Sequence, residues 1–244
     1  SGGSTSVSES GSTDTFTVVL NAQPASNVVL SISSSDTGEA TATSLLTFTS
    51  ANWNSAQTVT VTGADDNIID GTIASTLTIA VVDAISDDDF DSVADQTVSV
   101  TTTDNDVAGF TITESGGSTS VSESGTTDTF TVVLNAQPAS NVVLNITSSD
   151  TGEATVTGTL TFTSENWNSA QTVTVTGVND NIIDGTITST LTVTVNDGSS
   201  DNNFDPVNDQ TVSVTTTDND VAGFTIAESG GSTSVAETGS TDTF

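Results

Sequence analysis

Apolar side chains recur along this chain at every second position, with Thr or Ser in most of the places between. Phe16, Val18 and Leu20 share one face while Thr15 and Thr17 take the other. Val28, Leu30 and Ile32 repeat the pattern, as do Leu46 with Phe48, and Val59 and Val61 between Thr58, Thr60 and Thr62. A longer run holds Ile73, Leu77, Ile79 and Val81, followed by Val98 with Val100 and by Phe110 with Ile112. A period of two is the mark of a half-buried β-strand, since successive side chains point to opposite faces. Turn-rich stretches such as Asn21–Ser26 (NAQPAS) separate the runs. One apolar face per strand requires two sheets packed face to face. The expectation is an all-β chain of immunoglobulin-like sandwiches with about seven strands each.

The strand pattern repeats as a block. SGGSTSVSESG begins at Ser1 and again at Ser115, and SGGSTSVAETG begins at Ser229. The two full copies differ at 20 of 114 positions. A period of 114 residues suits a whole domain. The first strand of the repeat reads as split: GFTITE (Gly109–Glu114) runs into Ser115, Gly116 and Gly117 and then STSVSE, so the glycines let the chain pass from one sheet to the other. That phasing predicts a repeat at 1–106 lacking its first strand, a complete repeat at 107–220 and the start of a third at 221–244. Both ends are expected to continue in a longer secreted chain; the alternative is that a neighbouring chain supplies the missing strand. No run of 18 apolar residues is present, so no membrane span is expected.

Composition narrows the chemistry. The 32 acids stand against no Lys, Arg or His, for a net charge of −32, and Cys, Met and Tyr are absent. No imidazole base, thiol nucleophile or Schiff-base lysine exists, and no nitrogen or sulfur ligand set for zinc or copper. Nothing can neutralise a phosphate backbone, so nucleic acid is excluded as a partner. The expectation is a protein that is not an enzyme.

Several acids fall close together in sequence. Asp65, Asp66 and Asp70 lie in ADDNIIDG, whose counterpart VNDNIIDG holds Asn179, Asp180 and Asp184. Asp104 and Asp106, repeated as Asp218 and Asp220, stand where one repeat passes into the next. SDDDFD holds Asp87, Asp88, Asp89 and Asp91 and reads as a solvated acidic loop. Two carboxylates about 4 Å apart repel by about 1 kcal/mol in water and about 4 kcal/mol at a protein surface. With no cationic side chain to offset this, the remaining options are solvation, backbone amides, a raised pKa, or a hard cation bound by oxygen ligands, meaning calcium.

The succession VSESG, DTFTVVL, VTGADDNIIDG and TTTDNDVAGF resembles the Calx-beta family over almost the whole period. The resemblance implies an immunoglobulin-like sandwich that binds calcium at one end, recurring in tandem in large microbial surface proteins and adhesins. It implies as ligands Glu9, Asp65, Asp66, Asp70, Asp104 and Asp106 in the first copy, and Glu123, Asp180, Asp184, Asp218 and Asp220 in the second. Glu237 is the matching acid of the partial copy. Asn179 stands where the first copy has Asp65, and Asn105 and Asn219 stand where the family has a further exit acid. Asp36 and Asp150, in SSDTGEA, add a looser match.

Trp53 and Trp167 read as plugs over the sandwich edge rather than sugar platforms. The sequence thus points to a calcium-stabilised spacer or stalk in an extracellular, cell-surface protein, with calcium and neighbouring repeats or subunits as its partners. A donor-strand filament subunit and a carbohydrate-binding module are the alternatives.

Overall fold

The computed structural model describes residues 5–243. It is all-β with curled, sandwich-like sheets. In chain order the first eight strands are β1 Thr5–Ser8, β2 Thr13–Val18, β3 Val28–Ser34, β4 Ala40–Ala42, β5 Leu45–Phe48, β6 Gln57–Gly63, β7 Ile73–Val81 and β8 Gln96–Thr103. They form a five-stranded sheet in the order β1-β8-β7-β3-β5 and a three-stranded sheet in the order β2-β6-β4. The next nine are β9 Phe110–Glu114, β10 Thr119–Ser122, β11 Thr127–Leu134, β12 Val142–Ser148, β13 Ala154–Val156, β14 Thr159–Phe162, β15 Gln171–Gly177, β16 Ile187–Val195 and β17 Gln210–Thr217. These give the order β10-β17-β16-β12-β14 in one sheet and β13-β15-β11-β9 in the other.

The alternation of the sequence is what the two cores are made of. In the first half Val28, Phe48, Val59, Val61 and Leu77 are fully buried, and the Thr residues between them face outward or sit half-buried. In the second half Val142, Phe162, Val173, Val175 and Leu191 take the corresponding places and are fully buried too. The split opening strand is real in the second half: β9 pairs antiparallel with β11 in one sheet, and β10 pairs parallel with β17 in the other. Gly116 and Gly117, with φ of 68° and 83°, make the crossing between the sheets. A side chain disfavours that left-handed conformation, which glycine adopts freely.

The extra strands beyond about seven come from this split and from the three-residue β4 and β13, which are too short to show an alternation. Residues 221–243 form no strand, and nearly all of them are exposed. Among the described residues no helix is long and apolar enough to cross a membrane.

The two sandwiches touch through one loop. Gln137 N donates to the Asn67 carbonyl at 2.7 Å, and Asn203 Nδ2 donates to the Ile69 carbonyl at 3.1 Å. Ile69 itself packs against the core of the second sandwich. A cleft of about 580 Å³ lies at this joint, lined among others by Ile69, Asp106, Phe110 and Asn203.

Candidate metal centre

Strand polarity assembles the acidic end. β1 runs parallel to β8 with Ser8 opposite Thr103, so the residues that follow the two strands leave side by side at the same end of the sandwich. Those residues are Glu9 and Asp104. The bond from Glu9 N to the Thr103 carbonyl, at 3.1 Å, fixes the exit. β4 runs antiparallel to β6 with Ala40 opposite Gly63, which sets Glu39, just before β4, beside Ala64, just after β6. Ala64 N donates to the Glu39 carbonyl at 2.8 Å. The acidic loop then spans from β6 to the start of β7, where Ile73 lies opposite Thr102. Gly63 allows the tight approach: a Cβ there would collide with the Ser8 carbonyl, and Gly177 stands in the same relation to Ser122.

Five acids of the first half converge in two overlapping triads. One carboxylate oxygen each from Glu9, Asp104 and Asp106 lie within 4.8 Å of one another, and so do those of Glu9, Glu39 and Asp70. The second half repeats both, as Glu123, Asp218 and Asp220 and as Glu123, Glu153 and Asp184. Glu9 and Glu123 belong to both triads of their half.

These two glutamates are each only 1% exposed. Both carboxylate oxygens of Glu9 lack a hydrogen-bond partner, as do Oε1 of Glu123, Oε2 of Glu39 and Glu153, and Oδ2 of Asp106 and Asp220. Burial pushes the Glu9 carboxyl up from 4.5 to about 7, with Asp104, Asp66 and Glu39 adding repulsion. Burial also raises Glu39, with Asp70 as the next cause, and Asp70 itself, with Asp66 next. Asp106 rises for the same reason, followed by the charge of Asp104. Glu123 and Glu153 are raised by burial as well. Buried ions are normally paired or bound to metal, and this chain has no side chain to pair them.

The exit acids divide the work. Asp104 Oδ2 accepts from Asp70 N at 3.1 Å and Gly71 N at 2.9 Å, and its Oδ1 accepts from Asp106 N at 2.6 Å. It therefore clamps the acidic loop against the exit segment. Asp218 does the same through Gly185 N and Asp220 N, bonds that pull its carboxyl below the usual range.

Asp65, Asp66 and Asp180 lie at the rim, outside the triads. Asp66 Oδ1 and Asp180 Oδ1 each accept from the backbone two residues on, at 2.7 Å. Asp65 Oδ1 accepts from Asn105 Nδ2 at 3.0 Å, and Asn179 Oδ1 accepts from Asn219 Nδ2 at 2.9 Å. The Asp-to-Asn difference between the copies removes a charge and keeps the bond, because either side chain offers the same acceptor. Glu237 lies in the exposed segment after Asp220 and joins no triad among the described residues.

The residues that sequence reasoning missed are Glu39 and Glu153. They stand three positions after Asp36 and Asp150 in SSDTGEA, the motif that seemed to offer those aspartates. Asp36 Oδ1 instead closes its own turn by accepting from Gly38 N at 3.0 Å. SDDDFD also differs from expectation at its first acid. Asp87 is buried and accepts from Ser26 N at 2.6 Å and Asp89 N at 3.2 Å, which lowers its pKa. Asp88, Asp89 and Asp91 are exposed, as a solvated loop requires. Trp53 and Trp167 are half-buried, and Trp167 packs against the second core.

The donor set fits calcium. It is all oxygen, mostly carboxylate, and calcium takes six to eight oxygens at about 2.3–2.6 Å. Two ligands of one such ion lie at most about 5 Å apart, which the 4.8 Å limit of both triads satisfies.

No family model matches the sequence. No curated protein matches it either. Among solved structures the chain is similar to domains 4 and 5 of the S-layer protein SbsC, at 19% identity over 77% of this chain and 70% of that one, with a TM-score of 0.37. A longer SbsC structure matches at 20% identity and a TM-score of 0.37 over 81% of this chain, which spans only 21% of it. The CBD12 structure from CALX1.2 matches at 12% identity over 78% of this chain and 76% of that one, with a TM-score of 0.32. Likeness at this level bears no weight in the reading of the site.

Proposed function

We propose that this chain is a calcium-stabilised, non-enzymatic structural segment of an extracellular surface protein, built from tandem Calx-beta-like repeats at 1–106, 107–220 and 221–244 and acting as a spacer or stalk. The observation that carries the reading is the pair of glutamates, Glu9 and Glu123, each 1% exposed at the crossing of two acid triads in a chain without a cationic side chain. Calcium would be held by Glu9, Glu39, Asp70, Asp104 and Asp106 in the first half and by Glu123, Glu153, Asp184, Asp218 and Asp220 in the second. When bound, it supplies positive charge and no chemistry.

A mechanical role is supported by what the acidic loop does on its other side. The loop that presents Asp70 inward sends Ile69 into the second sandwich, so fixing one fixes the other. Its counterpart Ile183 is 58% exposed, free to meet a following unit in the same way. Extracellular modules typically bind calcium at about 0.1–1 mM, which keeps them filled outside a cell and empty inside one. Small-angle scattering of the 244-residue chain in calcium and in chelator tests the proposal. A straighter, better-defined particle is expected with calcium; identical maximum dimensions in both would overturn it.

A further inference from the structure

The two copies hold one loop on the same backbone and change its side chains. In the first, Asp87 accepts from Ser26 N at 2.6 Å and from Asp89 N at 3.2 Å. In the second, Asp201 accepts from Ser140 N at 2.9 Å and from Asn203 N at 3.0 Å. A single turn of 3-10 helix follows in each, Asp88–Phe90 and Asn202–Phe204. The side chain at the middle of that turn is Asp89 in one copy and Asn203 in the other. Differences gather here. Seven of the 20 positions at which the copies differ lie in the 13 residues 196–208, far above that stretch's share of a 114-residue copy. In the second copy this stretch faces the first sandwich, and Asn203, Pro206 and Asn208 all line the cleft at the joint.

What the first sandwich offers at the joint is main-chain oxygen. Asn203 Nδ2 donates to the Ile69 carbonyl at 3.1 Å, and Gln137 N donates to the Asn67 carbonyl at 2.7 Å. Ile68, between them, bridges to Gln137 as a parallel strand would. This edge accepts hydrogen bonds, and it belongs to the loop that holds Asp65, Asp66 and Asp70. A carboxamide at the position of Asn203 can donate to it. A carboxylate only accepts, so it would set its oxygen against the Ile69 carbonyl beside an acidic loop. We infer that the Asn67–Ile69 edge is a selective docking surface, whose partner is a sandwich with a carboxamide at the position of Asn203. A sandwich with a carboxylate there, as the first copy has in Asp89, is rejected, so the two sandwiches are not interchangeable behind that edge. Asn203 carries the choice. Gln137 and Val207 cannot make it, because their counterparts Gln23 and Val93 are the same residues. None of these bonds uses a carboxylate of the acid triads, so the inference stands apart from the calcium proposal.

The test uses the absence of cysteine in the native chain. Thr58→Cys on β6 with Thr172→Cys on β15 gives each sandwich one exposed thiol for a spin label. Pulsed electron paramagnetic resonance on the full chain in calcium then reads the spread of distances between the sandwiches. The labelled parent should show one narrow distribution. Asn203→Asp should broaden it, because replacing a bonded donor by a repelling acceptor lowers the docked-to-undocked ratio about 10-fold or more. Asn203 is exposed and its N–H bond to Asp201 survives the change, so the second core is not disturbed. Asn202→Asp adds the same charge one residue away and should leave the distribution narrow. So should Asp89→Asn, since the loop after β7 lies at the end of the first sandwich away from the joint. A broad distribution in the parent, a narrow one in Asn203→Asp, or equal broadening by Asn203→Asp and Asn202→Asp would each overturn the inference. The labelled parent in EGTA tests the calcium proposal separately: an unchanged distribution there would count against that proposal and leave the contrast between the two Asp variants intact.

Discussion

Replacing Glu9 by Gln should change the stability of the first sandwich with opposite signs in the presence and absence of calcium. Without metal, neither carboxylate oxygen of Glu9 has a hydrogen-bond partner, and the group lies close to Asp104, Asp66 and Glu39. Removing that charge relieves repulsion and desolvation, so the variant should melt at or above the parent temperature in EGTA. With calcium the balance inverts, because Glu9 is the one ligand common to both triads of its half. A site that binds at about 0.1–1 mM, in calcium 10–100 times above that constant, gains roughly 1.4–2.7 kcal/mol. Losing two such sites would remove about 3–5 kcal/mol of calcium-dependent stability, whereas Asp70→Asn, which touches one triad, should remove about half of that. One kcal/mol moves the melting temperature of a sandwich this size by about 4–8 °C. Calorimetry of parent, Glu9→Gln and Asp70→Asn in calcium and in EGTA therefore separates the cases. An equal fall in melting temperature for Glu9→Gln in both buffers would refute the reasoning, for it would make the glutamate a structural residue and not a ligand.

Acid should stabilise the metal-free fold. Glu9 binds its proton more tightly folded than unfolded, so its contribution is complete below about 4.5 and fades as pH rises through about 7; the slope between these values should flatten in Glu9→Gln, and calcium binding near pH 7 should release protons into a weakly buffered solution. Asp88→Asn with Asp89→Asn should leave calcium binding and melting unchanged, since the second copy already has Asn202 and Asn203 there. Asp87→Ala should lower the melting temperature without altering the calcium titration, because it removes the acceptor for Ser26 N and Asp89 N. Ile69→Asp should loosen the joint between the sandwiches, read as faster proteolysis between Asp104 and Gly109, while Ile183→Asp, already exposed, should not.

The alternation of Val, Ile, Leu and Phe with Thr determined strand after strand of this protein by itself, because a period-two pattern can bury its apolar residues only as a pleated sheet. The glycines at 116 and 117 likewise announced the passage between sheets. The acids of the 65–70 loop and of the 104–106 exit could be picked out because no cation stands anywhere to balance them.

Glu39 and Glu153 could not be found in this way. Each sits in an irregular stretch ahead of a three-residue strand, and only the pairing of that strand with the end of β6 or β15 brings the carboxylate to Asp70 or Asp184. The sharing of Glu9 between two triads was hidden too, since it follows from β1 lying parallel to a strand some 90 residues away. The clearest case is DTFTVVL, which occurs twice with the same letters. Phe130 is fully buried and Phe16 is not, because β9 pairs along β11, whereas among the described residues no strand pairs along that edge of β2. A local sequence can specify that a strand forms and which face is apolar, but hydrogen bonding across a sheet edge is a long-range contact, and its presence is decided only when the tertiary structure brings a partner there.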